Sequence, residues 1–130
     1  VSDVIDASRT LLQKARELDD LSKRLNEIEM ELGPLEAELT EWVEDYQAAC
    51  WKAHVEDEAK LPSEAIRLSI ANRSFDRAKY QRILVLRAGR SRRKRRISDL
   101  KEIVDAQRSI VSALKTELEA SEGPTPAWQP

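Results

Sequence analysis

Arg87-Ala-Gly-Arg-Ser-Arg-Arg-Lys-Arg-Arg96 places seven permanently charged bases in ten residues. At that density, guanidinium and ammonium groups suit two kinds of negative partner. One is a nucleic-acid backbone, whose phosphates many arginines neutralise in a salt-sensitive, sequence-independent way. The other is a facing row of carboxylates in the protein itself, which makes the run a solvated, register-setting face. On the first reading the contacts are Arg87, Arg90, Arg92, Arg93, Lys94, Arg95 and Arg96. Arg67, Arg73, Arg77, Lys79 and Arg82 extend the positive charge toward the N-terminal side. Only Phe75 and Tyr80 stand near as stacking partners, so recognition of particular bases is not expected.

Other chemistry is sparse. Cys50, His54 and Glu58 recur at i, i+4 and i+8, which a helix would align on one side. Three ligands on one exposed helix without a second cluster make a poor zinc site, so neither a metal nor another cofactor is expected. There is no nucleophile–base–acid set and no glycine-rich phosphate loop, and a helical hairpin offers no cleft for paired carboxylates. An enzyme is therefore not expected. The single cysteine cannot close an internal disulfide, and no apolar run is long enough to cross a bilayer. The first residues lack the pattern of a signal peptide, so the expected setting is cytoplasmic, with no membrane partner.

The elements that must position the bases follow from periodicity. Val4, Ala7, Leu11, Leu18, Leu21, Leu25, Ile28, Leu32, Leu35, Leu39, Trp42, Tyr46, Ala49 and Ala53 keep 3-4 spacing, interrupted only by Lys14. Sustained a and d positions of this kind predict a coiled-coil helix over about residues 4–58, with Trp42 in its core. Gly33-Pro34 falls at outward heptad positions; the surviving phase predicts a kink or short break, with two separate helices as the alternative. Residues 59–63 punctuate the pattern, and Pro62 with Ser63 suits a helix start. A second helix is predicted over 64–121, apolar at Ile83, Leu86, Ile97, Leu100, Val104, Val111, Leu114 and Leu118, with Ile103 and Ile110 widening its face. So wide a face suits a bundle of more than two helices. Residues 123–130 read as a disordered, proline-rich tail.

The expected architecture is thus all-α: one domain over 1–122, a long antiparallel helical hairpin assembled into a multi-helix homo-oligomer. Folding about residues 61 and 62 places 87–96 opposite 27–36, where Glu27, Glu29, Glu31 and Glu36 can cover part of the seven charges. The same fold puts Gly89 level with Gly33-Pro34. The charge split agrees with such pairing: residues 1–64 hold 17 acids and 7 bases, and 65–130 hold 7 acids and 15 bases. Arg90 and Arg93 occupy seam positions, so no large apolar residue holds the seam between Leu86 and Ile97. Trp51 lies off the seam and suits a subunit contact or plain exposure, while Trp128 suits a docking motif or a free end.

An acidic heptad helix, the turn Leu61-Pro62-Ser63-Glu64, and a basic second helix closing with the run Leu100 to Leu114 resemble small coiled-coil hairpin proteins of bacteriophages. In length and layout the chain is similar to the UvsY type of recombination mediator across most of residues 10–118. That resemblance implies a helical oligomer that binds single-stranded DNA and helps load a recombinase in the bacterial host cell. It also implies that Arg87, Arg90 and the bases from Arg92 to Arg96 are the DNA contacts. The dense arginine run and the proline-rich tail depart from the family's pattern. The other reading is a protein-binding, scaffolding or host-takeover coiled coil whose basic run meets an acidic partner.

Overall fold

The computed structural model describes residues 2–122, with the side chain of residue 122 left aside. All regular structure in this span is α-helical: α1 (Ser2–Glu56), α2 (Glu64–Ser74) and α3 (Arg77–Glu122). The expected tail, with Trp128, lies outside the described residues.

α1 is one helix, and Pro34 lies inside it. The alternative of two helices meeting at Gly33-Pro34 does not hold. Proline removes one backbone donor and crowds the preceding turn. Both Gly33 and Pro34 point outward, however, while Leu32 and Leu39 are buried on either side and hold the helix to its partner. α1 ends two residues earlier than the heptads suggest: Glu58 takes a left-handed φ of 53°, and the Ala59 N–H turns back to the Ala53 carbonyl at 3.2 Å.

The predicted second helix is two helices. Ser63 caps α2 as expected, its hydroxyl accepting the Ile66 N–H at 3.4 Å. α2 then stops at Ser74, because Phe75 is extended (φ −68°, ψ 158°) and buries its ring. Asp76 restarts the chain as α3, its carboxylate accepting the Lys79 N–H at 2.9 Å. A buried aromatic anchor followed by a strong N-cap residue accounts for the break.

The chain divides into two compact units. The central unit is Leu25–Arg92; the terminal unit takes in the described residues up to Arg24 and from Arg93. In the central unit, Leu32, Leu39, Phe75, Ile83 and Leu86 form the core, with Ile28, Leu35, Val43 and Tyr80 against it. In the terminal unit the buried apolar residues are Ala7, Ile97, Leu100, Val104 and Val111.

In each unit α1 and α3 pair antiparallel. The terminal unit joins Gln107 to the Ala7 carbonyl at 3.1 Å and Arg96 to Glu17 at 2.9 Å. The central unit joins Lys79 to Glu38 at 2.7 Å and Arg82 to both carboxylate oxygens of Glu31 at 2.8 and 2.7 Å.

The expected register holds at Arg87, which meets Glu36 as predicted, and shifts at other pairs. A fold about residues 61 and 62 puts Arg96 opposite Glu27 and Arg82 opposite Glu41. They meet Glu17 and Glu31 instead, each ten residues earlier on α1 (27 to 17, 41 to 31). Phe75 is extended, which advances the second arm about 1.8 Å more than a helical residue would (about 3.3 against about 1.5 Å). Beyond its chain neighbours and its own helix backbone, Gly33 has no atom within 4 Å of where a Cβ would stand, whereas Gly89 is buried.

Trp42 is the other correction. Although it occupies a seam position, it is 43% exposed. Its indole N–H donates to the Ala71 carbonyl at 3.0 Å and to Ser74 Oγ at 3.2 Å, and its ring meets Phe75 edge-on at 6.2 Å. The polar N–H draws the ring to the frayed end of α2 instead of into the core.

Candidate nucleic-acid interface

α3 carries the whole basic run, but the run falls in both units. In the central unit, Arg87 is half-buried and donates to Glu36 at 2.9 Å. Arg90, also half-buried at its seam position, reaches the same carboxylate oxygen at 3.8 Å. Arg92 is exposed and makes no ion pair or hydrogen bond among the described residues. In the terminal unit, Arg96 is held by Glu17, whose carboxyl is pulled below its ordinary value chiefly by the hydrogen bond from Arg96. Arg93 and Lys94 each make interactions of their own. Arg95 is exposed and, like Arg92, makes no ion pair or hydrogen bond among the described residues.

Of the expected covering glutamates, Glu36 serves Arg87 and Arg90. Glu31 is spent on Arg82, which raises the arginine's pKa and lowers that of the glutamate, in each case first through their hydrogen bond. Glu29 has an interaction of its own. Glu17, which covers Arg96, was not among the expected partners; the register offset explains why.

The ion pairs of the basic run are only partly exposed, at 31–46% for their side chains. Such pairs contribute roughly 0–1 kcal/mol and weaken with salt, so phosphates can compete for their guanidinium groups.

Two concave surfaces flank the helix break, both inside the central unit. The first is a groove of about 320 Å³ lined by Glu38, Glu41, Trp42, Asp45, Phe75, Asp76 and Lys79. Four carboxylates face one lysine there, and Glu38 already holds that lysine at 2.7 Å. The second is a notch of about 250 Å³ lined by Ser69, Asn72, Arg73, Phe75, Arg77 and Tyr80, with no carboxylate among them. The structure thus brings Phe75 and Tyr80, the two aromatics legible beside the basic segment, to one surface with Arg73 and Arg77. What could have found the notch in the sequence is Asn72-Arg-Ser-Phe-Asp76, three capping-type residues within five.

Cys50, His54 and Glu58 do not form one face. α1 stops before Glu58, and the His54 Nδ1–H donates to the Ala59 carbonyl at 2.7 Å. Cys50 is half-buried beside Tyr46, whose phenol is raised above its ordinary pKa first by a hydrogen bond with that thiol. Trp51 is exposed, stands edge-on to His54 at 6.0 Å, and supports the Arg67 guanidinium, whose carbon lies 5.7 Å from the ring centroid.

No protein-family model matches the chain, and no curated protein or solved structure matches it. Among the described residues, no helix is long and apolar enough to cross a membrane.

Proposed function

We propose that this chain is a non-enzymatic accessory protein that binds the phosphate backbone of nucleic acid, with single-stranded DNA as its substrate. Arg92 and Arg95 carry the reading: in a run crowded with like charge, both are exposed and neither meets a carboxylate among the described residues. Like charges three and four residues apart on a helix repel by about 0.2–0.5 kcal/mol per pair, which a negative partner relieves. The partly exposed pairs Arg87–Glu36 and Arg96–Glu17 add cations that phosphate can capture. Self-association would sum these faces and raise avidity. The layout shared with UvsY-type mediators agrees with a place in phage recombination or replication, beside a recombinase.

The test is binding of a labelled oligonucleotide across a salt series, with wild type beside Arg92→Ala/Arg95→Ala. Two lost phosphate contacts should lower the log–log salt slope by about 1.4 and weaken binding at low salt roughly tenfold. No binding at low salt, or binding indifferent to the substitutions, sinks the reading.

A second reading, a protein-binding or scaffolding coiled coil without a nucleic-acid role, is favoured by different residues. In the terminal unit, Ile5 and Leu12 on α1 and Ile103 and Ile110 on α3 repeat at heptad spacing and are exposed. Apolar stripes of that kind suit further helices.

A further inference from the structure

The notch between the last turn of α2 and the first turns of α3 is chemically one-sided. It is lined by two arginines, Arg73 and Arg77, with Asn72, Ser69, Phe75 and Tyr80. Asp76 sits in the chain between these groups, yet it lines the opposite groove, where its carboxylate is engaged by the Lys79 N–H.

Arg73 and Arg77 are exposed, and neither makes an ion pair or hydrogen bond among the described residues. Their neighbours on the same arm differ: Lys79 is held by Glu38 and Arg82 by Glu31. The start of α3 adds the partial positive charge of a long helix's N-terminus. Buried Phe75 fixes the rear wall. Tyr80 is half-buried, resting on the central core while also lining the notch.

We infer that this notch holds one nucleotide of a single strand, an assignment that rests on the backbone-binding reading above and adds a base contact to it. Arg73 and Arg77 take the phosphate, and Tyr80 takes the face of the base. Asn72 and Ser69 lie within the same wall to hydrogen-bond the sugar or the base edge. A single strand is required because the faces of paired bases are covered by their neighbours in the stack, whereas an unpaired base stacks on any aromatic ring. Space of about 250 Å³ accommodates a phosphate and one flat ring, not a duplex groove.

The experiment is equilibrium binding of the full chain to a fluorescein-labelled oligothymidylate of about 16 nucleotides and to a duplex of equal length, over a salt series. Arg73→Ala/Arg77→Ala removes that one phosphate contact and should weaken single-strand binding roughly tenfold and lower the salt slope by about 0.7. Tyr80→Leu, which keeps an apolar side chain against the core, should weaken single-strand binding roughly fivefold or more, leaving the salt slope and duplex binding unchanged. Tyr80→Phe keeps the ring and should bind like wild type.

If both notch variants bind like wild type while Arg92→Ala/Arg95→Ala weakens binding, the notch assignment fails and the backbone reading stands. If wild type binds neither nucleic acid, both fall. A Tyr80→Phe variant as weak as Tyr80→Leu, or an equal loss on duplex, overturns the base contact.

Discussion

Arg67 is 8% exposed, and no carboxylate approaches it among the described residues. Its Nη1 donates to the Pro62 carbonyl, its guanidinium lies over Trp51, and its Nε is buried without a hydrogen-bond partner. A buried cation is tolerable when a carbonyl and a ring face replace water, and here they tie the 57–63 connection to both α1 and α2. Arg67→Met, similar in volume and uncharged, should cost about 2 kcal/mol in urea unfolding, from one charged hydrogen bond and one cation–π contact. A double-mutant cycle with Trp51→Leu should return a coupling of about 1 kcal/mol. An unchanged midpoint in Arg67→Met would remove the clamp. Glu17 gives the second prediction at this scale. Its folded pKa is depressed below 4.5, first by the hydrogen bond from Arg96, with burial opposing. The pair therefore contributes at pH values above 4.5, and that contribution is lost as pH falls through the lower folded value. Carboxyl-carbon NMR should place the Glu17 midpoint below 4.5, and Arg96→Ala should return it toward 4.5. A wild-type midpoint at the ordinary value would show the pair to be absent in solution.

Two interruptions decide how the helices run, and only one of them interrupts anything. Gly33 stands in the middle of α1, and beyond its chain neighbours and its own helix backbone no atom lies within 4 Å of where its Cβ would be. Gly33→Ala should leave stability within about 0.5 kcal/mol, its gain in helix propensity offset by crowding of the new Cβ against the Pro34 ring, measured by denaturant midpoint. A loss beyond that would mean that the helix needs glycine's freedom ahead of Pro34. Asp76→Ala removes the N-cap of α3 and should cost about 1 kcal/mol, seen as a lower midpoint with Asp76→Asn nearly unchanged. These positions also show what the sequence made legible. The heptads from Val4 to Ala53 announced α1 because a 3-4 apolar pattern has no other stable solution. Pro62-Ser63 announced the start of α2 because its chemistry is local. The break at Phe75 was only faintly legible: it contains no glycine or proline, Asn72, Ser74 and Asp76 are its one local sign, and it also rests on a ring buried beside Trp42. The Glu17 partner of Arg96 was not legible, although Arg87, also beyond the break, keeps its expected Glu36. Trp42 was misread for a related reason: periodicity reports a face, and cannot report that an indole N–H finds its acceptor at Ala71.

Across the whole molecule, charge is nearly balanced in sum and strongly divided in place, and the seam of α1 is incompletely covered. Val4, Leu11, Leu18, Leu21, Leu25 and Ile28 are half-buried in the single chain, although their heptad positions are those of a closed core. One neighbouring helix covers one side of such a seam; a further helix covers the rest. In the terminal unit Ile103 and Ile110 stand one heptad apart at 38% and 48% exposure, beside the buried Val104 and Val111. Burying two isoleucines of this kind against a further helix would contribute about 1 kcal/mol or more each per copy. Sedimentation at micromolar concentration should therefore give a mass of several chains for wild type. Ile103→Lys/Ile110→Lys should shift it toward one chain while helicity by circular dichroism stays unchanged, because neither residue is in the buried row. Nucleic-acid affinity should fall with the mass if the basic faces act together, since single copies lose avidity while each keeps Arg92 and Arg95. A single-chain mass for wild type would leave the half-covered seam to another protein, and affinity indifferent to the two substitutions would show that each copy binds alone.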